Sequence, residues 1–118
     1  RLTFIIPRGY FSFVEVYDKV IRFHHGHNLQ YGGGVGGITI PVNKAIAQWN
    51  KIRNVDFDCF GHFHQYLDGG YWLCNGSMIG FNNYAESIKA TFDKPKQTFF
   101  LVDSARSKTV VCPITFSV

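Results

Sequence analysis

Two short stretches place imidazoles where they could act together: "FHHGHN", which holds His24, His25 and His27, and "FGHFHQ", which holds His62 and His64 behind Gly61. On a helix, residues two apart point to nearly opposite sides. On an extended segment they project from one face about 6–7 Å apart. The alternation ahead of Gly61 predicts extended backbone, and so predicts His62 and His64 as neighbours on one face. The same reasoning applies to His25 and His27 around Gly26. Glycine at either place lets the chain bend sharply or come close to a ligand. Neutral imidazole is the commonest metal ligand near neutral pH and suits zinc, iron and nickel. Both clusters follow strand-like runs, where functional groups commonly gather. Two readings stay open from the residues alone: a metal site built from two loops, or strand-end histidines with hydrogen bonds and no ion.

The elements that would position these groups are mostly strands. "RLTFIIP", "YFSFVEVYD" and "KVIRFHHG" are rich in β-branched and aromatic residues, and the middle one alternates well enough to predict a sheet edge or hairpin. A glycine-rich stretch, "NLQYGGGVGGITIP", follows. After Pro41, Val42, Ala45, Ile46, Trp49 and Ile52 recur at helical spacing, which predicts a helix over 42–53 with Pro41 suited to its first turn. "NVDFDCFGHFHQ" sets Val55, Phe57 and Cys59 against Asp56 and Asp58, a strand running into a loop at Gly61. "GGYWLCNGSMIG" reads as strand and turn, "NNYAES" as one helical turn, and "KQTFFLVD" with "TVVCPITFSV" as a closing hairpin in which Pro113 marks an edge or a bulge. The fold class is α+β (mixed α/β), strand-rich with one clear helix, and residues 1–118 make one domain or part of one.

Composition bounds the rest. The 118 residues suit one core, and 46% apolar and 17% aromatic content is more than a disordered segment carries. No run approaches the roughly 18–20 apolar residues of a membrane helix, and no leader is recognised, so a cytoplasmic protein without membrane contact is expected. Starting on Arg1 and at once on strand suggests a piece of a longer protein. Cys59, Cys74 and Cys112 sit in apolar surroundings without paired spacing, which predicts reduced, buried thiols. A net charge of +4 allows a nucleic-acid partner without arguing for one.

"GHFHQ" resembles the last signature of the calcineurin-like metallophosphoesterases, Gly-His-x-His, and "HHGHN" resembles the His-Gly-His block that precedes it there. The order of elements is similar too: strand, His-Gly-His, loop and helix, strand, Gly-His-x-His, and then an Asn-Gly-Ser segment and a terminal hairpin. The likeness covers nearly the whole chain but only the C-terminal half of the family's domain, a β-sandwich flanked by helices. It implies two divalent metal ions (Mn, Zn, Fe or Ni) that hold a phosphate ester between them, with a metal-bound hydroxide as nucleophile. His25 and His62 would bind one ion and His64 the other, His27 would face the substrate in a catalytic role, and Asn75 and Ser77 would lie near it. For Asn75 and Ser77 an ordinary turn role is the competing reading. The implied activity is hydrolysis of phosphate mono- or diesters, with DNA and nucleotides among the candidate substrates.

The family's earlier motifs, Asp-x-His, Gly-Asp and Gly-Asn-His, are absent, and with them the bridging carboxylate. Asp56, Asp58 and Asp68 are weak candidates to replace it. One ion or none is expected on this chain, with little activity by itself, and a partner is expected on its apolar face: the missing N-terminal half or a second copy. The competing function is a non-catalytic β-rich binding or structural module. Gly32, Gly34 and Gly37 spell Gly-x-Gly-x-x-Gly, but "NLQY" before and "ITIP" after break the strand-to-helix context of a dinucleotide fingerprint. Tyr10, Phe11, Phe13, Tyr71, Trp72, Phe99 and Phe100 are expected mainly in the core.

Overall fold

A computed structural model describes residues 1–87, 90 and 92–117. The chain forms β1 (Phe11–Val16), β2 (Lys19–His24), α1 (Thr39–Trp49), β3 (Phe57–Phe60), β4 (Leu67–Asp68), β5 (Trp72–Cys74), α2 (Asn83–Ser87), β6 (Lys96–Val102) and β7 (Lys108–Thr115). Five strands make one mixed sheet in the order β1-β2-β3-β5-β4, and β6 and β7 pair as a separate hairpin. The α+β, strand-rich class expected from the sequence is the one observed. No helix among the described residues is long and apolar enough to cross a membrane.

Parallel pairing of β2 with β3 and of β3 with β5 sets the layers. Such strands are covered on both faces. On one face α1 lays Val42 and Ile46 against Phe60, Trp72 and Cys74. On the other, Phe100, Val102 and Val111 of the hairpin cover Ile21, Phe57 and Leu73, with the rings of Phe57 and Phe100 meeting edge to face at 5.4 Å. The alternation read in 55–59 was therefore not core against solvent. Asp58 is fully buried on the α1 side, where it forms a two-pronged ion pair with Arg22, Nε to Oδ1 at 2.6 Å and Nη2 to Oδ2 at 3.0 Å.

Three expectations need correction. "RLTFIIP" makes no strand: Leu2, Phe4, Ile5 and Ile6 are exposed, since a strand needs a neighbour to pair with and none of the described strands lies beside them. The helix starts three residues early and stops at Trp49, leaving Ile52 90% exposed, with the N–H groups of Ile52 and Arg53 capping on the Trp49 carbonyl. Pro41 stays in the first turn, where its missing N–H breaks no helical bond. Of the thiols, Cys74 is buried and Cys59 half-buried, and burial pushes both up to about 12, but Cys112 is exposed. All three are free.

The closing hairpin has the expected form: Pro113 lies on β7, an edge strand of a two-stranded sheet, and the bulge is at Leu101/Val102; Val118, the last residue of the expected segment, lies outside the described residues. Among the aromatics singled out, Trp72 is core, whereas Tyr10, Tyr71 and Phe99 are exposed.

Candidate metal centre

β2 and β3 run parallel with His24 opposite Phe60, so the residues that follow each strand leave the sheet side by side at its carboxyl edge. Ligand sites of open α/β sheets favour that edge. The ladder continues for one bond beyond the strands, Gly61 N–H donating to the His25 carbonyl at 3.1 Å. Gly26 makes the approach possible. Its φ of +102° is in the left-handed range, and a Cβ there would lie 3.0 Å from the Gly61 carbonyl oxygen and 3.2 Å from the His62 Cβ.

His62 Nδ1 and His25 Nε2 stand 3.1 Å apart. Without metal, one ring donates to the other. The same separation suits a shared cation, because two nitrogens each about 2.0–2.1 Å from one ion are about 2.9–3.4 Å apart at ordinary coordination angles. His27 flanks the pair, its ring 5.4 Å from that of His25 and 5.5 Å from Tyr10. His64 turns toward Tyr84, ring centroids 5.5 Å apart, and its Nδ1 is buried without a hydrogen-bond partner among the described residues.

The extended geometry expected for His62 and His64 is not what forms. His62 has φ +70° and His64 φ +55°, both left-handed, and Phe63 N–H donates to the Gly61 carbonyl at 2.8 Å across His62, a γ-turn. Such backbone costs of order 1–3 kcal/mol per residue and is held only where its surroundings determine it. Although His62 as a residue is exposed, the rings of His25 and Phe63 crowd it at 5.0 and 5.2 Å and displace water. That desolvation, reinforced by His25, His27 and His64, lowers its pKa below the ordinary 6.5. The folded chain then holds this proton less well than the unfolded chain does, so stability falls as pH drops through 6.5. An NMR titration of the metal-free chain should place the His62 midpoint below 6.5; a midpoint at or above it would contradict this packing.

The fifth histidine was given no role from sequence and is a core residue. The His24 side chain is 1% exposed, stacked on Phe60 at 5.0 Å and edge-on to Trp49 at 5.1 Å. Strand alternation carries the signal, since His24 shares the α1-facing side with Arg22, two residues before it. Asn75 and Ser77 serve the turn: the Asn75 amide donates to Gln97 and accepts from Thr98 N–H, and Ser77 Oγ accepts from Ile79 N–H. Gly76 between them passes so close to β6 that a Cβ would sit 2.8 Å from the Lys96 carbonyl oxygen.

The acids are engaged elsewhere. Asp56 accepts from Val20 N–H, Asp58 pairs with Arg22, and Asp68 accepts from Gly70 N–H and Lys108. Among the described residues no three of His, Cys, Asp and Glu close around a single point. His25 and His62 fit one cation on two donors. A pair of ions with a shared carboxylate does not fit the residues of this chain.

Beside His62 a cleft of about 500 Å³ opens between the Gly36-Gly37 turn, the Phe63–Gln65 segment and Tyr84. Sequence reading missed Tyr31 and Gln65, which line it from irregular segments, and Tyr84, which lines it from the short helix α2. The rejected glycine fingerprint also fails for only one of the reasons given: α1 does start at Thr39, just after Gly37, but β2 ends at His24, well short of Gly32.

No protein-family model matches this sequence, and no curated protein matches it. In three dimensions the chain is similar to wild-type Vps29 from Entamoeba histolytica complexed with Zn2+, with a TM-score of 0.50 and 20% identity over 90% of this chain. It spans 59% of the length of that protein. A single-mutant form of the same Vps29 aligns with a TM-score of 0.48 and 21% identity over 97% of this chain and 66% of its own. The fold is of the metallophosphoesterase type.

Proposed function

We propose that this chain carries the histidine half of a metal-dependent phosphoesterase site. The observation that carries the reading is the 3.1 Å approach of His25 Nε2 to His62 Nδ1, at the carboxyl edge of two parallel strands and on a turn with left-handed backbone. His25 and His62 hold one divalent cation, zinc or manganese being the first to try. His64, its Nδ1 without a partner among the described residues, would serve the second ion of a complete centre. His27, exposed beside His25, faces the substrate. A bound cation polarises a phosphoryl oxygen and makes its water more acidic. The oxygen ligands must come from another segment, either an N-terminal half bearing the family's acidic motifs or a second copy, and without them the chain does not turn over.

The titration of this chain with Zn2+ or Mn2+ should give one ion bound, with affinity reduced about 100-fold or more by His25→Ala or His62→Ala, and no hydrolysis of bis(p-nitrophenyl) phosphate. Robust turnover by the chain alone would sink the half-site reading. Unchanged metal affinity in His62→Ala would sink the ligand assignment. A non-catalytic binding module is the second reading, favoured by the engagement of Asp56, Asp58 and Asp68 away from the histidines. Acidic motifs upstream of Arg1 in the parent polypeptide would decide for the enzyme.

A further inference from the structure

The cleft beside His62 has a chemistry of its own. Tyr31, Phe63 and Tyr84 line it together with His62 and the Gly36-Gly37 turn, and Gln65 supplies an amide. Tyr31 meets Phe63 edge to face at 6.4 Å, which braces it, and Tyr84 leans on His64. Both tyrosines nevertheless keep much of their surface exposed, 43% and 57%. Rings in a core have given that surface up, whereas these two keep it and line the cleft. The half-buried Gln65 amide is taken up by no hydrogen bond among the described residues. Among the described residues no lysine, arginine, aspartate or glutamate lines the space.

We propose that this cleft is a subsite for a nucleoside, its base lying against Tyr31 and Tyr84 and its polar edge read by Gln65. A base offers a flat π-face and a hydrogen-bonding edge, the two things these side chains can meet. At about 500 Å³ the space is within the range of small-ligand sites. Given the phosphoesterase reading, on which this role rests, the nucleoside is the leaving side of a phosphodiester whose phosphate faces His25 and His62.

The test is equilibrium binding by the 118-residue chain in EDTA, with adenosine as probe and ribose 5-phosphate as the control without a base. Adenosine should bind, with dissociation constants in the millimolar range, and ribose 5-phosphate should not. Tyr31→Ala and Tyr84→Ala should each weaken adenosine roughly tenfold or more, while Tyr31→Phe and Tyr84→Phe keep it, since stacking needs the ring and not the hydroxyl. Equal binding of ribose 5-phosphate, or adenosine binding unmoved in both alanine variants that remain folded by circular dichroism, overturns the proposal. His25→Ala separates the two readings. His25 stands outside the cleft lining, so the variant should weaken metal binding about 100-fold or more and leave adenosine binding as it was; loss of adenosine binding in this variant would count against a separate subsite.

Discussion

Asp58→Ala should destabilise the chain by about 3–5 kcal/mol, the usual cost of leaving one partner of a buried ion pair alone. Arg22 and Asp58 are 1% and 0% exposed, and the two side chains meet through two hydrogen bonds rather than one. Arg22 would keep Asn50 Oδ1 at 3.0 Å and the face of Trp49 at 5.2 Å. Neither neutralises a guanidinium held away from water. Since domains of this size are stable by only about 5–15 kcal/mol, the variant should unfold at much lower urea, with the midpoint read by circular dichroism. The double variant Arg22→Met/Asp58→Leu should recover most of the loss, because it removes both charges and fills the space with apolar atoms. A cost below about 1 kcal/mol for Asp58→Ala would mean that water reaches the pair.

The same pair shows where reading the sequence reaches and where it stops. The run from Val55 to Phe60 was legible as a strand because its period of two is a local property. Which face was wet was not. β3 lies between two parallel neighbours and beneath α1, so the position two-period logic gives to solvent is interior, and Asp58 is admitted there only because Arg22 arrives from β2. "RLTFIIP" fails for the converse reason: apolar, β-branched residues describe a strand only when a partner is present. At the histidines, residue types and order were legible and backbone conformation was not. Alternation ahead of Gly61 said nothing about the left-handed turn at His62, which depends on His25-Gly26 arriving from another strand. Asn75 and Gly76 likewise take their meaning from β6, some twenty residues further on.

Gly26→Ala should lower metal affinity about 10- to 100-fold, the range seen when groups that orient a ligand are disturbed, whereas Gly61→Ala should change it by less than about threefold. Both glycines belong to the two histidine motifs, and sequence alone treats them alike. Space does not. A Cβ at Gly61 meets nothing nearer than the His25 carbonyl oxygen at 3.9 Å, ordinary contact, and its φ is outside the left-handed range. A Cβ at Gly26 is pressed to 3.0 Å from the Gly61 carbonyl oxygen and 3.2 Å from the His62 Cβ, at a φ of +102° that an L-residue rarely adopts. Relief requires the two loops to part, and the 3.1 Å approach of His25 to His62 is what parts with them. Zn2+ titration by calorimetry, with the urea midpoint as a control for folding, reads the contrast directly. If the two variants bind the ion equally well, the spacing of the loops does not govern the site, and the imidazoles reach a cation by some other arrangement.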